Sequence, residues 1–223
     1  MRDANYVTAK NIGRKSAEWL ALAEGRCRAK ENFILEPERS ALLVIDMQRF
    51  FTDPLSHAYV PAVDGIFPNV LALVQAYRAK GLPIVFTRHA FKPEEDPGIL
   101  GRWWRDALLD GDEFAEPDPR LKVKSGEPVL RKNRYSAFTN PELEAILKRL
   151  GATQLVVAGV MTHLCCETTA RDAFMRDYEV YFAVDATGTD DEELHCATLQ
   201  TLSSGFAVPV STAEVIEKVG ARK

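Results

Sequence analysis

Leu155-Val156-Val157-Ala158-Gly159-Val160-Met161-Thr162-His163-Leu164-Cys165-Cys166 is an apolar run that stops at a glycine and passes into helix-compatible residues. It reads as a buried strand, a tight turn and the start of a helix, with Cys165 where that helix begins. A helix start offers unpaired N–H groups and the positive end of a dipole. Those features predict a lowered thiol pKa and a thiolate near neutral pH. The same N–H groups are placed to receive a developing oxyanion. Cysteine is also a common small core residue, so the stretch alone leaves both uses open.

Outward from this stretch, the chain beyond residue 38 alternates short apolar runs with helical patterns, the βα signature of a parallel sheet covered on both faces. Strands are expected over 41–45, 84–87, 128–130, 155–158, 180–184 and 207–210. Pro68 is suited to open a helix that Gly81 follows. Asn140-Pro141 caps a helix whose apolar positions Leu143, Ile146, Leu147 and Leu150 recur at helical spacing before Gly151. Ser211 and Glu214 form a capping box for the last helix. Residues 1–38 form an amphiphilic extension with a helical patch over 16–29, suited to pack across the domain or a neighbouring subunit. The stretch 91–124, rich in Pro, Asp, Glu and Gly, is long for a connection, and such loops at strand ends often line sites.

The 223 residues, 46% of them hydrophobic, suffice for the core of one α/β domain. A net charge of −4 argues against nucleic acid or an anionic membrane surface as partner. Cys27, Cys165, Cys166 and Cys196 form no CxxC pattern, so no structural zinc site is readable. The polar stretch Met1 to Lys15 lacks a secretory core, and no apolar run approaches membrane-spanning length. A reduced, cytoplasmic setting with free thiols is the expectation.

In an open parallel sheet, ligands bind beyond the carboxyl ends of the strands. Asp46 follows the first strand, Lys132 the third and Cys165 the fourth. An acid, a lysine and a cysteine there can serve as base, electrostatic partner and nucleophile. Each also has an ordinary use, as loop cap, surface charge and core thiol.

Three blocks carry a family resemblance: Asp46-Met47-Gln48; Lys132-x-Arg134-Tyr135-Ser136-Ala137-Phe138; and Gly159-Val160-Met161-Thr162-x-x-Cys165 with Thr169-Ala170-Arg171-Asp172-Ala173. In order and spacing, over about residues 38–218, they resemble the isochorismatase-like cysteine hydrolases, which include nicotinamidases and N-carbamoylsarcosine and ureidoacrylate amidohydrolases. The chain is thus expected to divide into a partly helical extension over 1–38 and a hydrolase domain over 39–223, for which the resemblance implies a single six-stranded parallel sheet with helices on both faces. The resemblance also implies a catalytic Asp46–Lys132–Cys165 triad, a cis peptide between Val160 and Met161, and an oxyanion hole of the Met161 and Cys165 N–H groups. In isochorismatases proper, which hydrolyse a vinyl ether, the nucleophile position resembles a glycine; Cys165 here favours C–N hydrolysis of an amide, carbamoyl or ureido substrate. The alternatives are vinyl-ether hydrolysis with Asp46 as the acid, and a non-catalytic binding protein on the same fold.

The segment Phe51-Thr52-Asp53-Pro54-Leu55-Ser56-His57 lacks the Asp-x-His pair of metal-containing nicotinamidases, so neither metal nor cofactor is expected. The implied partners are a small-molecule substrate and further copies of the chain, as a homodimer or homotetramer. Gln48, Phe51, His89 and Tyr135 are candidates for substrate contact. One of Trp103 and Trp104 is expected to wall the pocket, with Arg102 or Arg105 as a carboxylate clamp. Cys166 is expected in the core, His163 in the cysteine turn facing site or solvent, and His195 on the helix after Asp185-Ala186-Thr187.

Overall fold

The computed structural model describes residues 5–28 and 30–221. Six strands, β1 (Ser40–Ile45), β2 (Ile84–His89), β3 (Val129–Lys132), β4 (Gln154–Val160), β5 (Glu179–Gly188) and β6 (Val208–Val210), form one sheet in the order β3-β2-β1-β4-β5-β6. Every neighbouring pair is parallel, as the βα alternation predicts. The helices are α1 (Ile12–Glu24), α2 (Arg49–Thr52), α3 (Val63–Ala79), α4 (Gly98–Trp104), α5 (Pro141–Arg149), α6 (Glu167–Phe174), α7 (Glu192–Ser203) and α8 (Thr212–Gly220). Strands β1 and β4 are buried along their whole length, which requires cover on both faces of the sheet. No helix among the described residues is long and apolar enough to cross a membrane.

The chain builds β1, β2 and β3 toward one edge, then returns to place β4 on the other side of β1. The carboxyl ends of β1 and β4 therefore flank the point where strand order reverses, the usual ligand crevice of such sheets. Ile45 and Gly159 are paired there. A Cβ on Gly159 would lie 2.0 Å from the Ile45 carbonyl oxygen, and its φ is +118°. Glycine at 159 is thus a condition for this close approach, one residue before Asp46 on the neighbouring strand.

Several boundaries differ from expectation. Pro68 lies inside α3 rather than opening it. Burial of Val63, Ile66 and Phe67 carries the helix start upstream of the proline, outweighing its missing N–H. The 16–29 patch is instead α1, Ile12–Glu24, which follows a turn in which the Asn11 side chain accepts from Thr8 N–H, and which gives way at Gly25. Ala29 lies outside the described residues. Strand β3 extends to Lys132 because its ladder with β2 continues to the His89–Lys132 pair, while Pro128 contributes only its carbonyl, accepting from Phe86 N–H. Asn140 caps α5 and the Ser211–Glu214 capping box opens α8, both as expected.

Candidate active site

Lys132 is the hub of the site. Its ammonium lies 2.6 Å from Asp46 Oδ2 and donates to Cys165 Sγ at 3.3 Å and to the Arg134 carbonyl at 3.0 Å. One ammonium is thus shared among an ion pair and two hydrogen bonds. Lysine and aspartate are both fully buried at the side chain, and Cys165 is 5% exposed. Burial works against the Lys132 charge, yet Asp46 and Cys165 beside it hold its pKa above the usual lysine value. A lone buried ammonium would be driven neutral; this one stays charged because its neighbours need it.

Asp46 sits just past β1 in the left-handed region, φ +49°, which Asp tolerates better than most residues. Its N–H donates to Thr87 Oγ1, and that hydroxyl donates back to Asp46 Oδ1 at 2.7 Å. One carboxylate oxygen is thereby fixed on β2 and the other faces Lys132. Thr87 was not singled out in the sequence; its signal is a hydroxyl directly after the apolar run Ile84-Val85-Phe86, which needs a partner when buried.

After β4 the Val160–Met161 peptide is cis. The chain then makes a single wide π turn, Thr162–Cys166, before α6 begins at Glu167. The Met161 carbonyl accepts from the N–H groups of both Leu164 and Cys166. Cys165 is therefore carried by the π turn rather than by the first residue of α6, and the expected thiolate is corrected accordingly. Burial pushes its thiol up to about 12; Lys132 opposes the rise and Asp46 adds to it. The resting group is a neutral thiol beside a carboxylate. Cys166 is wholly buried in the core.

A cavity of about 490 Å³ opens above the cysteine, with Phe51, His89, Trp104, Tyr135, Met161 and Cys165 among its walls. Phe50, Phe91, Leu100 and Leu108 make it largely apolar and aromatic. Trp104 Nε1 donates to Tyr135 Oη at 2.8 Å, tying the 91–124 segment to the β3 end. His57 and Asp106 also line it, and His57 Nε2 lies 2.8 Å from Asp106 Oδ2 across the mouth. That pair joins two loops far apart in sequence, so no local pattern announces it. Burial lowers the His89 pKa to about 4, leaving a neutral imidazole in the wall.

Three candidates are placed elsewhere. Gln48 is wholly buried and its carboxamide is committed to the His89 main chain, so it does not reach the cavity. Trp103 is 74% exposed, and Arg102 is exposed beside it. Successive helical residues point about 100° apart, and α4 sets Trp104, itself 51% exposed, against Tyr135 at the cavity wall while these two face solvent. Arg105, in the left-handed cap position after α4, lines the cavity and is the arginine placed to meet an anion. His163 is half-buried against Thr189 Oγ1, and His195 lies buried on α7. Among the described residues no three His, Cys, Asp or Glu side chains gather as a metal site requires.

The isochorismatase-domain family matches residues 40–214. Nicotinamidase 3 of Arabidopsis thaliana is 42% identical over 171 residues, 75% of this chain and 82% of that protein. Enterobactin synthase component B of Escherichia coli (strain K12) is 32% identical over 188 residues, 84% of this chain and 66% of that protein. The solved structure of a cysteine hydrolase from Pseudomonas syringae pv. phaseolicola 1448A superposes with a TM-score of 0.81 at 27% identity, covering 84% of this chain and 95% of that one. With the sheet order, the cysteine turn and these matches together, the chain belongs to the isochorismatase family of hydrolases, within the isochorismatase-like cysteine hydrolase superfamily.

Proposed function

We propose that this chain hydrolyses the C–N bond of a small amide, carbamoyl or ureido substrate through a thioester on Cys165, with no step assigned to a metal. The observation that carries the reading is Lys132, shared between a carboxylate and a thiol at the floor of an apolar cavity. As Sγ attacks the substrate carbonyl carbon, its proton passes to Asp46, and Lys132 stabilises the charges exchanged. The carbonyl electrons move onto oxygen, which the Met161 and Cys165 N–H groups receive. Collapse of that intermediate expels the amine, which takes the proton from Asp46. Water then adds to the thioester, Asp46 accepts its proton, and the acid leaves as the thiol is restored. The neutral resting thiol suits this cycle, because the base that must deprotonate it is in place.

The aromatic walls favour a flat apolar substrate, and Arg105 at the wall can meet an anionic substituent. Similarity to a protein named as a nicotinamidase supports amide chemistry. The similarity to enterobactin synthase component B keeps vinyl-ether hydrolysis, with Asp46 as proton donor, as the competing reading. Ammonia release across a panel of carbamoyl, ureido and aryl amides, and release of the carbonyl product from a vinyl ether, from the wild type and Cys165→Ala, separate them. Amide turnover that vanishes in Cys165→Ala supports the thioester; vinyl-ether turnover that persists in Cys165→Ala assigns the chemistry to Asp46 alone.

A further inference from the structure

Residues 5–24 precede the family-matched region, yet they pack against the residues that hold the cysteine turn from behind. Tyr6 and Trp19 are 3% and 2% exposed and pack edge to face, 5.8 Å between ring centroids. Both lie on the ring of His195, Trp19 at 4.4 Å and Tyr6 at 6.1 Å. His195 is wholly buried and makes two hydrogen bonds. Its Nε2 lies 3.1 Å from the Val184 carbonyl, which can only accept, so Nε2 carries the proton. Nδ1 of the neutral ring is then an acceptor, and it takes the hydroxyl proton of Thr162 at 3.0 Å. Thr162 is the first residue of the π turn that ends with Cys165 and Cys166.

A second contact runs in parallel. The Thr189 N–H donates to Tyr6 Oη at 3.2 Å, and Thr189 Oγ1 lies 2.7 Å from His163 Nδ1, on the same π turn. Thr189 Oγ1 also donates to Asp190, which lines the cavity. The arm itself is pinned. Lys15 meets both oxygens of Glu192 at 2.6 and 2.7 Å, Trp19 Nε1 donates to Glu192 at 2.9 Å, and Ser16 Oγ donates to Asp185 at 2.8 Å. An ion pair and hydrogen bonds that are half-buried hold more firmly than exposed ones.

We propose that residues 5–24 are a positioning brace for the nucleophile, with Trp19 acting through the His195–Thr162 hydrogen bond to set where the Thr162–Cys166 turn holds Cys165. None of these residues touches the cavity floor; they act on it through the turn. A nucleophile displaced by a fraction of an ångström loses rate with little change in substrate affinity, because all of the cavity walls except Met161, Leu164 and Cys165 stand on other elements.

The proposal rests on Cys165 as the reacting group, and a double-mutant cycle tests it. Trp19→Ala, Thr162→Val and the double variant are compared for kcat, KM and the rate of Cys165 labelling by iodoacetamide, alongside thermal unfolding. Each single variant is expected to lower kcat by about tenfold to a hundredfold with KM nearly unchanged, and to slow labelling in parallel. The double variant should be no worse than the poorer single one, since both break one link. Trp19→Phe should restore most of the rate, and Arg14→Ala, on the exposed side of α1, should leave it unchanged. Should Trp19→Ala not fold, Trp19→Leu takes its place in the cycle. Additive effects, or a folded Trp19 variant with wild-type kcat and labelling, would overturn the brace. Persistent turnover in Cys165→Ala would instead overturn the thioester reading, so the two failures are told apart.

Discussion

The Gln48 side chain bonds both main-chain polar groups of His89: its Oε1 accepts from the His89 N–H at 2.5 Å and its Nε2 donates to the His89 carbonyl at 3.0 Å. A side-chain amide here stands in for a stretch of β ladder, fixing the last residue of β2 beside the residue pair that follows β1. The consequence is that His89 presents its ring to the cavity from a backbone that cannot drift. Removing the amide strands two half-buried main-chain groups at once. Gln48→Ala should therefore lower stability by about 2–6 kcal/mol, from about 1–3 kcal/mol for each of the two unsatisfied groups. Urea midpoints at neutral pH check this; a change below about 0.5 kcal/mol would show that water replaces the amide at no cost.

Asp46 is held by Thr87 on one oxygen and Lys132 on the other, so Asp46→Asn can keep the shape while losing the base. Turnover should fall by about 10²–10⁴-fold. Near-normal turnover in Asp46→Asn would mean that Asp46 is not the proton carrier.

Trp104 and Trp103 are adjacent on α4 but only Trp104 reaches the cavity, where it bonds Tyr135. Trp104→Ala should raise KM several-fold on the substrates found in the amide panel, losing an aromatic wall worth about 0.5–1.5 kcal/mol beyond its area. Trp103→Ala and Arg102→Ala should leave KM within twofold of wild type, roughly the scatter of exposed surface substitutions. Arg105→Ala should weaken only substrates or products that carry a carboxylate. Equal effects at 103 and 104 would mean that α4 rotates when substrate binds.

The sheet was legible because most strands carry an apolar run bounded by turn residues, and because positions 46, 132 and 165 lie at or just beyond the ends of strands. Strand ends in a parallel sheet share one edge, so their meeting followed from topology rather than from any local signal. What was not legible depended on approach between distant elements. Gln48 reads as a polar residue near a site until the proximity of β2 shows that its amide is already used. The phase of a short helix such as α4, which decides between Trp103 and Trp104, is set by its anchoring loops. The thiol was misread for a related reason: spacing shows a helix start, but burial, which dominates its pKa, is a property of the packed molecule. Likewise the arm's aromatic pair is visible as Tyr6 and Trp19, while its partner His195 lies 176 residues beyond Trp19 in the chain.

His195 also sets an acid limit on the fold. Burial lowers its pKa to about 4 from the ordinary 6.5, although the Val184 carbonyl that it bonds favours the charged form. The unfolded chain therefore takes up a proton in a pH range where the folded one does not. Stability from this group is complete above about pH 6.5 and is lost as pH falls toward about 4, by about 3 kcal/mol at most. Burial moves His89 the same way, also to about 4, so the two losses fall in one window. That window lies largely above the titration of ordinary carboxylates, which makes the histidine contribution separable. Urea unfolding at pH 7.5, 6.5, 5.5 and 5.0 should show a slope that His195→Gln reduces by up to about one proton, or about 1.4 kcal/mol per pH unit. The variant should be less stable than wild type at pH 7.5, having lost the Thr162 and Val184 bonds, with the gap narrowing toward pH 5. A gap that stayed constant with pH would mean that the His195 ring accepts its proton in the folded state, opening its contact with Trp19 rather than resisting the charge.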